Sequence, residues 1–388
     1  MSTGRKLLFS LVVLFAVLAA PELAVRLSGY APSASAIDVE STNRTFYVED
    51  RTGAHGDWFL IDDGVARSNP GLVPQGFHDY TIPVDPGGKV RLFAFGGSTT
   101  HGVPFTQRER GFPERLEGLL RQRGQDIEVI NVGVAGMSSA SFPELAREAV
   151  GLGAAGFVIY SGNNEYMRWA DSGCHGGART VVERLFNSSY AFLYARSWYR
   201  AFRPPAVMSA DAILIHQEAC TRGRALEADR DAVMDAVVSA YRANLTETLE
   251  IAAAAGLPVW LAKPAVNLQE PPNLSMPEAG DADAQFAAGM AKLKARDVEG
   301  AREALEQALD RDALPLRPPR SLRAVIPPLC EAREAVTCVD VEQAFLDASE
   351  GLPGYDLFVD FCHPTFEEGV SLIAESFAAE MVGVSLIR

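Results

Sequence analysis

"KVRLFAFGGSTTHG", residues 89–102, decides how this chain is read. A short unbroken apolar run, typical of a strand buried on both faces, stops at Gly96 and Gly97. Ser98, Thr99, Thr100 and His101 follow at once. Taken alone the stretch has two meanings. Either Ser98 is a nucleophile displayed at a strand end, or this is an ordinary strand-to-helix turn. The choice depends on the rest of the chain supplying a base, a group that orients it, and donors for an oxyanion.

Outward from this strand the pattern is regular. "FPERLEGLLRQRG" (112–124) has helical apolar spacing and a terminal glycine, which is a stop signal. "IEVINVGVAG" (127–136) is a second strand running into glycines, "FPELAREAVGLG" (142–153) a helix, and "AGFVIYSGNN" (155–164) a third strand. Residues 226–256 form a long periodic helix closed by Gly256, and "LPVWLAKP" (257–264) is a fourth strand. "REAVTCVDV" (333–341) is a fifth, and "FEEGVSLIAESFAAEMVGV" (366–384) a closing amphipathic helix. Alternating strands and helices predict an α/β fold: a three-layer, doubly wound parallel sheet of about five strands. In such sheets chemistry gathers at the carboxyl ends of the strands.

The 388 residues are 48% hydrophobic and 22% charged, an ordinary globular composition, with a formal net charge of −15. So acidic a chain lacks the basic face that nucleic acid requires. Arg5 and Lys6 precede the uncharged "LLFSLVVLFAVLAA" (7–20), a positive region followed by an apolar one. Residues 1–28 therefore read as a membrane anchor or a cleaved signal segment, and the body of the protein as exported to the cell envelope. It would be anchored on the extracytoplasmic side, or secreted or periplasmic after cleavage. Residues 29–88, rich in Ser, Pro, Gly and Asp, read as an irregular extension, and 89–388 as the catalytic domain. In an oxidising compartment Cys330 can pair with Cys338 and Cys174 with Cys220, leaving Cys362 as the free thiol of five. Buried, inert cysteines are the alternative.

Residues 271–325 interrupt the domain. Within 283–314, Gly289, Ala301, Leu305 and Ala308 fall where a tetratricopeptide unit has small and apolar residues, with "ARDVEGA" (295–301) as its turn. A solenoid needs about three stacked repeats, and the chain has one copy. The segment reads as an inserted helical hairpin, with a partner-binding module as the alternative.

Six histidines are available as a base. His55 and His78 fall in the extension, His175 in a loop, and His216 in an apolar stretch that suits a packed core residue. His101 is near Ser98 locally. His363 stands in "LFVDFCHPTFEEG" (357–369), three positions after Asp360, a spacing that lets a carboxylate meet one imidazole nitrogen in a tight turn. Gly136 ends "NVGVAG" (131–136), where a bare N–H can approach a substrate. Asn163 and Asn164 follow a strand in "SGNNEY" (161–166). Each of these residues, taken singly, is also ordinary turn chemistry.

The order Gly-Gly-Ser, "NVGVAG", "SGNNEY" and "DFCHPT" resembles the four blocks of the SGNH/GDSL hydrolase superfamily, over roughly residues 89–388. The resemblance implies Ser98 as nucleophile, His363 as general base and Asp360 as its orienting acid. It implies an oxyanion hole of the Ser98 N–H, the Gly136 N–H and the Asn163 side chain, an acyl or acetyl ester substrate, and neither metal nor organic cofactor. The usual Gly-Asp-Ser is Gly96-Gly97-Ser98 here, and Glu165 stands after Asn163 and Asn164. The N-terminal segment with "PELAVRLSGY" (21–30) and the tetratricopeptide-like insertion resemble a membrane-associated bacterial branch. In that branch Asn267, in "PAVNLQEPP", and Arg317 and Arg320, in "LPLRPPR", are expected to line a pocket or hold the insertion, with plain structural loop residues as the other reading. Three functions follow: a serine esterase, an O-acyl or O-acetyl transferase acting on envelope polysaccharide, and a non-catalytic scaffold binding a protein partner through 283–314.

Overall fold

The structure, a computed structural model, describes residues 19–28, 58–70, 72–73, 77–104, 111–167, 191, 223, 225, 229–276 and 281–381. Residues 1–18 and 29–57, the Cys174–Cys220 pairing, His55, His175 and His216 lie outside the described residues. The chain divides into two compact units. One comprises 1–45 and 173–217, the other 46–172 and 218–388. In the first, residues 19–27 are helical. Glu22 accepts there from Arg26 Nε at 2.7 Å and from the Ala191 N–H at 3.0 Å. Among the described residues, no helix is long and apolar enough to cross a membrane.

The second unit is built on five parallel strands: β4 (Val90–Gly96), β5 (Ile127–Asn131), β6 (Gly156–Tyr160), β7 (Val259–Lys263) and β8 (Val336–Asp340). Their order is β5-β4-β6-β7-β8, and every pairing is parallel. The order reverses between β4 and β6, the switch point at which ligands bind in open α/β sheets.

Both faces are covered, which is why the strands read as unbroken apolar runs. Leu92, Ala94, Val158, Tyr160, Trp260 and Ala262 point into a core shared with α2 (Phe112–Gln122), α9 (Val341–Ala348) and α10 (Gly369–Glu380). The alternate residues Phe93, Phe95, Phe157, Ile159, Val259 and Leu261 enter the opposite core, with α3 (Phe142–Gly151), α4 (Arg230–Ala254) and α8 (Ile326–Glu331). Helix α2 shows the logic. Phe112, Leu116 and Leu120, four apart, make one buried stripe, and the Phe112 ring stacks on Phe377 of α10 at 5.5 Å.

Residues 58–83 correct the expectation of an irregular extension up to residue 88. They hold a three-stranded antiparallel sheet: β1 (Phe59–Asp62), β2 (Val65–Ser68) and β3 (Thr81–Pro83). The β1–β2 turn is Asp63-Gly64, with φ of 47° and 74°, the left-handed pair that a two-residue hairpin demands. Trp58, Phe59, Phe77, Tyr80 and Ile82 join the core on the α3 side. The Glu148 carboxylate of α3 accepts the N–H groups of Trp58 and Phe59 at 2.9 Å each. Only Phe59 of β1 is buried, so the alternation that marks a strand is absent from the sequence there.

Between β7 and β8 lie the antiparallel helices α5 (Ala282–Lys294) and α6 (Val298–Arg311), followed by the single turn α7 (Arg320–Arg323). Asp297 caps α6 by accepting the Gly300 N–H at 2.9 Å. Gly289 lets α6 approach, since a Cβ there would lie 2.6 Å from Leu305 Cγ. Ala301, Leu305 and Leu309 of α6 close a third core with Val266, Leu268 and Leu352. Cys330 is bonded to Cys338, and Cys362 is a free, buried thiol.

Candidate active site

Ser98 opens α1 (Ser98–His101), a single turn placed directly after β4. As the first helical residue it has an N–H with no intrahelical acceptor. The glycines before it are there for space. Gly97 sits at φ −88°, a value open to any residue, but a Cβ on it would lie 2.3 Å from Asn164 Nδ2. A Cβ on Gly96 would lie 1.9 Å from Thr100 Oγ1 and 2.3 Å from the Tyr160 carbonyl. Asn164 donates to the Met137 carbonyl at 2.9 Å. It thereby ties the loop after β6 to the loop after β5 across the ground that a residue 97 side chain would take.

Ser98, Gly97, Thr99, Met137, Asn163 and Asn164 line one recess with Tyr160, Ser161 and Gly162, about 210 Å³ and open to solvent. Gly136 adjoins this wall at φ +79°, a left-handed position that suits glycine. Asn163 Oδ1 is buried and has no hydrogen-bond partner, so the amide is uncommitted inside the protein. The loop carrying Gly136 is fixed by Glu165, whose buried carboxylate accepts the Ser139 N–H at 2.9 Å and the Ser139 hydroxyl at 2.8 Å. That contact accounts for the Glu at the fifth position of "SGNNEY".

The loop between α9 and α10 brings Asp360 and His363. One Asp360 oxygen accepts His363 Nδ1–H at 2.6 Å, and the other accepts the N–H groups of Cys362 and His363 at 2.9 and 2.8 Å. With Nδ1 thus the donor, Nε2 is the basic nitrogen, and it is buried with no hydrogen-bond partner. Thr99, the neighbour of Ser98, reaches this loop through Oγ1 to the Cys362 carbonyl at 3.5 Å. Ser98 and His363 thus stand on touching loops.

Electrostatics favour the assignment of roles. Burial alone would raise the Asp360 carboxyl. The hydrogen bonds from His363 and from two backbone N–H groups outweigh it and hold the group below the usual carboxylate range. Burial pushes the Cys362 thiol and the Tyr160 phenol up, so both stay protonated beside the site and neither competes as a nucleophile. Asp360, Cys362 and His363 offer ligand atoms within 4.8 Å of one another. The Asp360 oxygens, however, are already committed to three N–H donors.

His101, the local alternative base, stacks face to face on His78 at 4.3 Å, and its carbonyl accepts from His78 Nε2 at 3.3 Å. Asn267, Arg317 and Arg320 do not line the recess. Arg320 is a surface residue paired with Glu303 and Asp310 of α6, and so holds the hairpin. Asn267 and Arg317 are buried, and Asn267 lies against the loop that carries Asp360 and His363.

No protein-family profile matches the chain, and no curated protein matches it. Among solved structures it is similar to Axe2, an acetylxylan esterase from Geobacillus stearothermophilus, at 15% identity and a TM-score of 0.40 over 77% of this chain and 96% of that one. It is also similar to a member of the lipolytic protein G-D-S-L family from Veillonella parvula, at 11% identity and 0.40 over 76% and 100%. LAE5, an alpha/beta hydrolase enzyme from the metagenome of Lake Arreo, Spain, aligns at 14% and 0.39 over 75% and 94%. The functional reading therefore stands on the geometry of the site.

Proposed function

We propose that this protein is an exported serine esterase acting on acyl or acetyl esters of a small molecule or a carbohydrate. The observation that carries the reading is the Asp360–His363 pair, joined at 2.6 Å. Its second nitrogen is buried and unpartnered, on a loop tied to the turn that presents Ser98. His363 Nε2 takes the Ser98 proton as Oγ attacks the ester carbonyl. Asp360 keeps the imidazole in the tautomer that allows this and stabilises the imidazolium that results. The oxyanion is met by the N–H groups of Ser98 and Gly136 and by the Asn163 amide. His363 then protonates the leaving alcohol, and water releases the acyl group.

Export is supported by the basic, then apolar, N-terminus and by the Cys330–Cys338 bond, which persists in oxidising compartments.

The test is hydrolysis of an acyl-chain-length panel, with acetylated sugars included, by the full-length protein and Ser98→Ala. Turnover of at least one ester, reduced by about 10³-fold or more in Ser98→Ala, is expected. Full hydrolysis by Ser98→Ala, with labelling by a fluorophosphonate unchanged, overturns the reading. Product analysis with a sugar acceptor present reports whether water or a hydroxyl takes the acyl group.

A further inference from the structure

Arg317 is a large cation buried to 2% exposure with no carboxylate in ion-pair contact among the described residues. Its partners are backbone carbonyls. Nη1 donates to Asn267 at 2.6 Å and to Glu270 at 2.8 Å, and Nη2 to Pro271 at 3.0 Å. Burial pulls the group down from its ordinary value while the charges of Asp312 and Glu270 hold it up, and guanidinium remains the charged form throughout. Three carbonyls converging on one rigid fork fix the shape of residues 267–271.

That segment is stitched to the chain leading into the acid–base loop. The Leu268 N–H donates to the Pro353 carbonyl at 3.0 Å, and Gln269 Nε2 to the Leu352 carbonyl at 3.2 Å. The Tyr355 hydroxyl donates to Glu270. The last stitch reaches the site itself. Asn267, fully buried, donates from Nδ2 to the Asp360 carbonyl at 2.9 Å, while its Oδ1 accepts the Gln269 N–H at 3.1 Å. Both ends of the Asn267 amide are used, so its orientation is set. The Asp360 backbone is held from below as its carboxylate holds His363 from the side.

We infer that Asn267 and Arg317 are positioning residues for the acid–base pair: Arg317 shapes the 267–271 turn, and Asn267 uses that turn to fix Asp360 and, through it, the His363 imidazole. The inference rests on the esterase reading for its effect on turnover, but not for its effect on geometry. Arg317 comes from the segment inserted between β7 and β8, so the insertion supplies part of the support of the catalytic loop.

The experiment uses the full-length protein and the variants Asn267→Ala, Arg317→Lys and Ser98→Ala, with Glu247→Gln, at an exposed ion pair with Arg147, as the unaffected control. Three quantities are read: kcat and KM separately, the melting temperature, and the downfield proton resonance of the His363 Nδ1–H bond to Asp360. Asn267→Ala is expected to lower kcat by about 10–100-fold, the scale of a misplaced catalytic group. KM should stay within about twofold, and the resonance should be lost or broadened. Arg317→Lys keeps the charge and three donors but not the fork, and should show a smaller loss of the same kind. Wild-type kcat and resonance in both variants overturn the inference. So does activity that falls only in proportion to the unfolded fraction while the resonance persists. If Ser98→Ala hydrolyses normally, the esterase reading fails, and the resonance in Asn267→Ala still decides whether Asn267 orients the pair.

Discussion

Asp360 serves two masters. Its carboxylate orients His363, and its backbone carbonyl is anchored by Asn267. Because its folded-state carboxyl lies below the usual range, it adds stability that is present above the unfolded value and lost as pH falls through the folded one. Below about pH 4 the wild type should therefore lose stability on acidification more steeply than Asp360→Asn, a difference that urea melts at stepped pH would measure. Equal slopes would show that the hydrogen bonds to the carboxylate are not formed. The same scale explains the mismatch in the opening motif. Gly97 has no side chain because Asn164 occupies the space, and Asn164 links two site loops through Met137. "DFCHPT" was legible in the sequence because acid and base are three residues apart. Asn267 reads from the sequence as lining a pocket or holding the insertion, because its bond to Asp360 spans 93 positions and no local pattern reports such a contact.

The helical hairpin shows what patterning says at the scale of an element and where it stops. Small and apolar residues at helical spacing mark two helices, and the structure adds the tight fit of Gly289 to Leu305. They did not say which surface α6 would cover, and that surface includes Val266, Leu268 and Leu352, flanking the segments that meet at Asp360. Leu305, at 1% exposure, should cost about 2–5 kcal/mol when cut to alanine, read by urea denaturation. Because the cavity opens against Val266 and Leu268, kcat should fall with it. A stability loss with turnover untouched would mean that hairpin and acid–base loop are not coupled. The three-stranded sheet at 58–83 is the converse case. Its strands run four residues or fewer, too short for a periodic signal, which leaves the segment reading as irregular although Asp63-Gly64 makes a two-residue hairpin turn.

Across the whole second unit, Arg91 is the joint between the two sheets. Fully buried on β4, it donates to the carbonyls of Pro83 and Leu152 at 2.8 and 2.6 Å and pairs with Glu128 at 2.7 Å. Replacing it with methionine removes the donor from the buried Leu152 carbonyl and from Pro83 and Glu128, at a cost of about 1–3 kcal/mol. Amide hydrogen exchange should show residues 58–83 losing protection first. Uniform protection with unchanged stability would show that Trp58, Phe59 and Glu148 hold the small sheet without help.

The alternation of strands and helices, the parallel sheet and the four polar strand ends were written in the sequence, because apolar periodicity and turn residues act over a few positions. Ser98, Asp360 and His363 stand out as a candidate set through the resemblance of the four blocks taken in order, since each residue taken singly is ordinary turn chemistry. Only the tertiary structure decided the strand order, the packing of residues 58–83 on α3, the burial of Arg317, and the burial of Asn267 against the acid–base loop. Those features are hydrogen bonds and contacts between segments tens to hundreds of residues apart. A chain folds them into place by satisfying buried polar groups, which leave no periodic trace in the order of its residues.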